Sequence, residues 1–150
     1  MKLLMILLLG AFGYNQLDPA DVPVKSKEAF ELKVVITNVK SHNGLILLGI
    51  YNNPSNYLEK GGAYSYTSHK AKVVGNQIEI TFKDIPKGSY AISLCHDVNA
   101  DNKCNSNFLG IPLEPYGFSN GYNRKLSKPS FNECKFEVNQ NKTVKVQLIQ

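Results

Sequence analysis

The sequence predicts an all-β fold, a seven-stranded β-sandwich of the immunoglobulin or transthyretin-like kind with one long loop and at most a short helix. Three observations carry that expectation. Short runs with apolar residues at every second position recur through the chain, as in Phe30-Glu31-Leu32-Lys33-Val34 and Gln77-Ile78-Glu79-Ile80-Thr81-Phe82. Turn-forming residues such as Asn43-Gly44, Gly75-Asn76 and Pro86-Lys87-Gly88 separate these runs. No stretch carries a sustained helical period, and seven strands with such punctuation suit two packed sheets.

Taken in order, residues 1–13, MKLLMILLLGAFG, hold one Lys and then an apolar run too short to span a bilayer, with small residues at Ala11 and Gly13. This is the pattern of a secretory signal, so the expected location is periplasmic or secreted, with no transmembrane segment once the signal is removed. Residues 14–28 contain Pro19 and Pro23 and no apolar period, and read as a linker to a domain over 29–150. Residues 30–37 form a half-buried strand. Leu45 to Tyr51 is apolar on both faces and belongs at the centre of a sheet. Asn53-Pro54 with Gly61-Gly62 brackets a helical turn. Residues 64–74 and 77–83 are two strands expected to pair as a hairpin, and 89–95 is a further strand. Residues 130–138 and 143–149 close the domain as strands.

The stretch Cys95 to Asn120, CHDVNADNKCNSNFLGIPLEPYGFSN, breaks the alternation. A connection this long inside a compact domain is usually functional. Its apolar groups, Phe108, Leu109, Ile111, Leu113, Tyr116 and Phe118, are expected to be buried against the sandwich, with Gly117 and Gly121 supplying turns of positive φ. Asp97, Asn99, Asp101 and Asn105 are oxygen donors at spacings suited to a hard cation, and Lys103 can add its carbonyl. The spacing matches the first positions of an EF-hand loop. The twelfth position is Phe108 rather than Glu, however, and a strand precedes it, so an EF-hand is excluded. A looser calcium loop, with Asn107 or Glu114 as further ligands, stands beside an ion-free loop whose Asp and Asn side chains bond nearby amides. Apart from that ion, no cofactor is expected.

His96 and Asp97 are strand neighbours whose side chains point to opposite faces, which opposes a catalytic dyad unless a turn begins at Asp97. His96 is expected to close the strand end with a hydrogen bond. Aromatic and amide groups at Tyr116, Phe118 and Asn120 would suit a sugar or peptide groove, although the chain has no Trp. Cys95, Cys104 and Cys134 leave all three disulfide pairings open. The chain carries 17 basic and 12 acidic residues, net +5; without residues 1–13, which hold Lys2 and no acid, the excess is +4. These charges are scattered without an aromatic platform, which excludes a nucleic-acid surface.

Ile85-Pro86-Lys87-Gly88-Ser89-Tyr90-Ala91-Ile92 resembles the turn and strand of transthyretin-like and collagen-adhesin B-type sandwiches. More specifically, Gly88 to Ile92 leading to His96-Asp97-x-Asn99, then Leu109-Gly110-Ile111-Pro112-x-Glu114-x-x-Gly117-Phe118-Ser119-Asn120 and Pro129-Ser130-Phe131, resembles the exported bacterial family known as domain of unknown function 2141. The resemblance implies an exported β-sandwich without an established activity. The family pattern has Gly at Asn102, an apolar residue at Cys104 and Asp at Asn105, which implies a partly buried Cys104. The functional expectation is a non-enzymatic recognition module using the 96–120 loop, as a recognition or weak calcium-binding surface, with an envelope protein or glycan as partner. A small hydrolase working through the His96/Asp97 region and a structural or adhesive component of an envelope assembly are the alternatives.

Overall fold

The computed structural model describes residues 28–59, 66–124 and 127–150. The signal and linker expected over 1–28 fall outside these residues, save Glu28. Eight strands, β1 (Ala29–Thr37), β2 (Leu45–Tyr51), β3 (Thr67–Lys72), β4 (Ile78–Pro86), β5 (Gly88–Asp97), β6 (Tyr116–Phe118), β7 (Phe136–Val138) and β8 (Lys142–Gln147), build two sheets. One sheet runs β4-β1-β8, with β1 antiparallel to β4 and parallel to β8. The other runs β3-β2-β5-β6, and β7 pairs with the start of β5.

The alternation in the sequence determines what lies between the sheets. Leu32, Val34 and Ile36 of β1 and Ile78 and Ile80 of β4 meet Ile46, Leu48 and Ile50 of β2 and Tyr90, Ile92 and Leu94 of β5. Each such side chain contributes about 1.5–3 kcal/mol by leaving water. The Tyr90 hydroxyl ends at the Pro86 carbonyl, 2.8 Å away, so the turn before β5 is tied to the core residue that follows it. Strand β2, apolar on both faces, is indeed internal to its sheet.

The sandwich departs from the sequence reading at four places. An eighth strand, β6, lies within the long connection and pairs with β5 from Ser93↔Phe118 to Cys95↔Tyr116. Strands β3 and β4 do not form the expected hairpin: β3 pairs with β2, and β4 crosses to β1 in the opposite sheet. The Gly75-Asn76 turn is present, with Gly75 at φ +78°, but a turn does not say which sheet receives the next strand. The expected strand at 130–138 begins instead as a one-turn helix, α1 (Phe131–Cys134). Ser130 caps it and Glu133 returns the bond to the Ser130 amide, a reciprocal pair that stabilises a helix start by about 1 kcal/mol. Lastly, Gly117 does not sit at positive φ; a Cβ there would come within 2.8 Å of Val146 Cγ1 and 2.9 Å of the Gln147 carbonyl, so β6 needs glycine to approach β8.

A second apolar cluster lies on the outer face of the five-stranded sheet. Tyr57, following the 3-10 turn Pro54–Asn56, packs edge-on against Tyr51 and Phe131, and Ala91 and Cys134 complete the group. Cys134 is a free thiol, buried beside the Tyr57 hydroxyl, and burial raises its pKa, which keeps it protonated and unreactive. Among the described residues no helix is long and apolar enough to cross a membrane.

Candidate functional site

The connection between β5 and β6 is assembled from its own side chains. Strand β5 runs through Asp97, so His96 and Asp97 point to opposite faces and no turn brings them together. His96 is fully buried; its Nε2 donates to the Asn43 carbonyl at 2.8 Å, and its amide donates to the Pro115 carbonyl at 2.7 Å. The ring therefore fastens the β1–β2 turn to the end of β5, and the main chain fastens the far end of the loop. Gly44 permits this contact, since a Cβ at φ +84° would overlap the Asp97 carbonyl.

Asp97 is also fully buried, and both of its oxygens accept main-chain amides. Oδ1 takes the Asp101 N–H at 3.2 Å and Oδ2 takes the Asn102 N–H at 2.7 Å. The Asn99 side chain adds a second acceptor for the Asp101 N–H at 3.1 Å. Asp101 is exposed and accepts from the Lys103 amide and from the Asn105 and Asn99 side-chain amides. The Asn105 contact is the largest cause holding its carboxyl below the ordinary aspartate value. Glu114 closes the far side: Oε1 takes the Val98 N–H at 3.0 Å and Oε2 the Asn105 N–H at 2.9 Å. Three carboxylates thus hold one loop through amides, each a charge-assisted bond stronger than a neutral one.

Cys95 and Cys104 are joined by a disulfide, Cα to Cα 5.9 Å, which decides the open pairing. Cys104 lies at the surface, contrary to the partly buried position expected of it, because the loop bends out from the sheet and only Cys95 sits in the strand. Ala100 and Asn102 take left-handed conformations at φ +59° and +66°. Asn102 is where the family pattern has Gly, and the positive φ explains that preference.

The expected burial of the loop's apolar groups fails for four of them. Phe108 is 95% exposed, Leu109 and Leu113 are 68% exposed, and Ile111 is 37% exposed. Their segment is nonetheless well tied. Asn107 Oδ1 accepts the Leu109 and Ile111 amides, both at 3.0 Å, and the Asn107 carbonyl accepts the Gly110 amide at 2.9 Å. The Asn107 amide donates to Ile111 and the Leu113 amide to Asn105. With these bonds made inside the tip, its backbone is held and its side chains project. Tyr116 and Phe118, in contrast, lie on the sheet with their rings edge to face at 5.7 Å, as the sequence indicated.

The loop returns to the sandwich at Ser119, a residue whose role the sequence reading missed. Fully buried, Ser119 accepts the Ile92 amide at 2.8 Å and donates to the Cys134 carbonyl, so it joins β5, the loop and α1. Asn120 donates to the Glu133 carbonyl at 3.0 Å beside it. A small polar residue next to an aromatic was the available signal.

A family model described as an uncharacterised protein conserved in bacteria, domain of unknown function 2141, matches residues 34–147. The chain belongs to this family. Neither a curated protein nor a solved structure matches it. The family match runs from within β1 to the end of β8 and so includes the whole amide-held loop. Among the described residues, the one group of three His, Cys, Asp or Glu ligand atoms within 4.8 Å of one another is Cys95, Cys104 and Glu114, and the two sulfurs are already bonded to each other. Asp97, Asp101 and Glu114 do not converge in that way, nor does His96 join them.

Proposed function

We propose that this family member is an exported recognition module that engages a protein partner of the cell envelope through the apolar tip of its long loop. One observation carries the reading: Phe108, Leu109, Ile111 and Leu113 are presented to water from a backbone already fixed by its own hydrogen bonds. Large apolar groups held together at a surface mark an interaction site. A pre-ordered tip also loses little entropy when it is covered. Three aliphatic groups and one phenyl ring, none with a hydrogen-bonding atom, offer little to a glycan, which favours a protein pocket. The apolar start of the chain and the Cys95–Cys104 bond both suit export to an oxidising compartment.

The Asx segment under this tip serves as its rigid base. The bonds from Asp97, Asn99, Asp101 and Glu114 to amides support a base that stands without an ion. A calcium ion shared by Asp97, Asn99, Asp101 and Asn105 is the competing form of the same reading.

Photo-crosslinking in the cell tests the proposal. A photoreactive residue at position 108 is expected to yield a discrete protein adduct, and one at Val74, also exposed but remote in sequence, is not. Leu109→Ser with Leu113→Ser should abolish the adduct while the protein stays folded. Equal labelling from 74 and 108, labelling of lipid alone, or no adduct at 108 would overturn the reading.

A further inference from the structure

We infer that the outer face of the five-stranded sheet carries a second binding site, for a small amphipathic anion with a slender apolar body and one carboxylate or sulfonate group. On that face the alternating residues of β2, β5 and β6 meet as rows: Leu47 beside Cys95 and Tyr116, and Gly49 beside Ser93 and Phe118. Both ends of the face are covered. The Tyr57, Phe131 and Cys134 cluster covers one end, and the disulfide-tethered loop at Asn102–Cys104 and Pro112 rises over the other.

Between these covers the middle row is low at Gly49 and Ser93, which are small, and the Tyr51 ring folds back over Gly49, where a Cβ would come within 3.0 Å of it. The result is a groove of about 600 Å³, within the range of small-molecule sites, roughly 300–1,000 Å³. Leu47, Tyr116 and Phe118 give it apolar walls, and the Ser93 and Tyr51 hydroxyls, 3.5 Å apart, give its floor one polar point.

Charge decides what class of molecule fits. Lys70 and Lys103 line the groove and no Asp or Glu does. Lys70 is positioned by the loop itself, its Nζ donating to Asn102 Oδ1 at 3.1 Å, and Lys103 is exposed beside it. The nearby carboxylates do not line it and are already bonded: Glu114, 3.9 Å from Cys95 Sγ, to the Val98 and Asn105 amides, and Asp101 to Lys103 N, Asn99 and Asn105. An apolar trough with cations at one end and no acid in its lining complements an amphipathic anion. This site adjoins the apolar tip through Pro112, but none of the four tip side chains lines it, and it does not rest on the tip's proposed role.

Fluorescence titration of the full chain with cis-parinaric acid tests the inference, with the methyl ester of the same acid as the uncharged control. The acid should bind saturably, one per chain, and the ester at least tenfold more weakly. Lys70→Glu with Lys103→Glu, both exposed positions, should weaken the acid at least tenfold without disturbing the fold. Ser93→Leu, which fills the middle row, should abolish binding. Phe108→Ser should leave it unchanged while removing the tip contact, which separates failure of this site from failure of the proposed function. Absence of saturable binding, equal binding of acid and ester, indifference to charge reversal, or loss in Phe108→Ser would each overturn the inference.

Discussion

Asp97 shows how much one buried side chain can organise. Fully withdrawn from water, its carboxylate is compensated by two main-chain amides of the loop it begins. Removing it leaves the Asn102 amide without its acceptor and the Asp101 amide with Asn99 Oδ1 alone, and a hydrogen bond to a charged group contributes about 1.5–3 kcal/mol. Asp97→Ala is therefore expected to lower stability by about 2–4 kcal/mol in chemical denaturation. The same residue distinguishes the two forms of the loop. If the amide bonds suffice, millimolar calcium and chelator give wild type the same melting temperature. A calcium ion bound only by the folded chain would instead stabilise it, by about 2.7 kcal/mol at a hundredfold excess over its dissociation constant. A calcium-dependent rise that disappears in Asp97→Ala would establish the ion-bound form. The oxygen spacing was legible in the sequence. Whether those oxygens face amides or an ion was not, because the choice depends on the left-handed turns at Ala100 and Asn102 that aim the N–H groups inward.

At the scale of elements, β5 is the strand to which the others are fitted. It pairs with β2, β6 and β7, supplies Tyr90, Ile92 and Leu94 to the core, and anchors the loop through Cys95, His96 and Asp97. The disulfide closes a short loop, and loop-closure entropy for a ring of about ten residues corresponds to about 2–3 kcal/mol. Replacing both Cys95 and Cys104 by Ala should reduce unfolding free energy by about that amount, and hydrogen exchange should quicken at the amides of Asp101 to Asn105 before those of β2. Unchanged exchange in the loop would show that the amide bonds alone fix it. Strand identity was legible wherever apolar residues alternate, as in β1, β4 and β8. Pairing was not: β3 and β4 are joined by a good turn yet part to different sheets. Their partners are set by the apolar faces that β2 and β1 leave open, a tertiary condition. Helix α1 carried a local signature, Ser130 followed three residues on by Glu133, that the alternation around Phe136 and Val138 masked.

For the whole molecule, the sandwich packs its core residues between and behind the sheets, and four of the six exposed large apolar side chains among the described residues gather on the tip of the β5–β6 loop. The composition of that loop argued for burial, since Phe108 and its neighbours in water cost free energy. The structure shows instead that these groups are exposed on a backbone whose bonds are made within the loop. Acid should test how far the domain and its loop stand together. Asp101, through Asn105 first, and Glu133, through the Ser130 amide first, both have carboxyls held below their ordinary values. A depressed folded-state pKa means that the stabilisation is present above the unfolded value, near pH 4, and is lost as pH falls through the lower folded one. Repulsion within a basic chain also grows in acid, and the part that comes from the other carboxylates is common to wild type and variant. The denaturation midpoint of wild type should therefore fall more between pH 5 and pH 2.5 than that of the Asp101→Asn, Glu133→Gln double variant. Because Asp101 holds the loop and Glu133 the cap of α1, amide exchange in acid should quicken first at those two places, with the strands of the inner core opening last. Parallel acid curves for wild type and variant would show that neither carboxylate draws stability from its bonds.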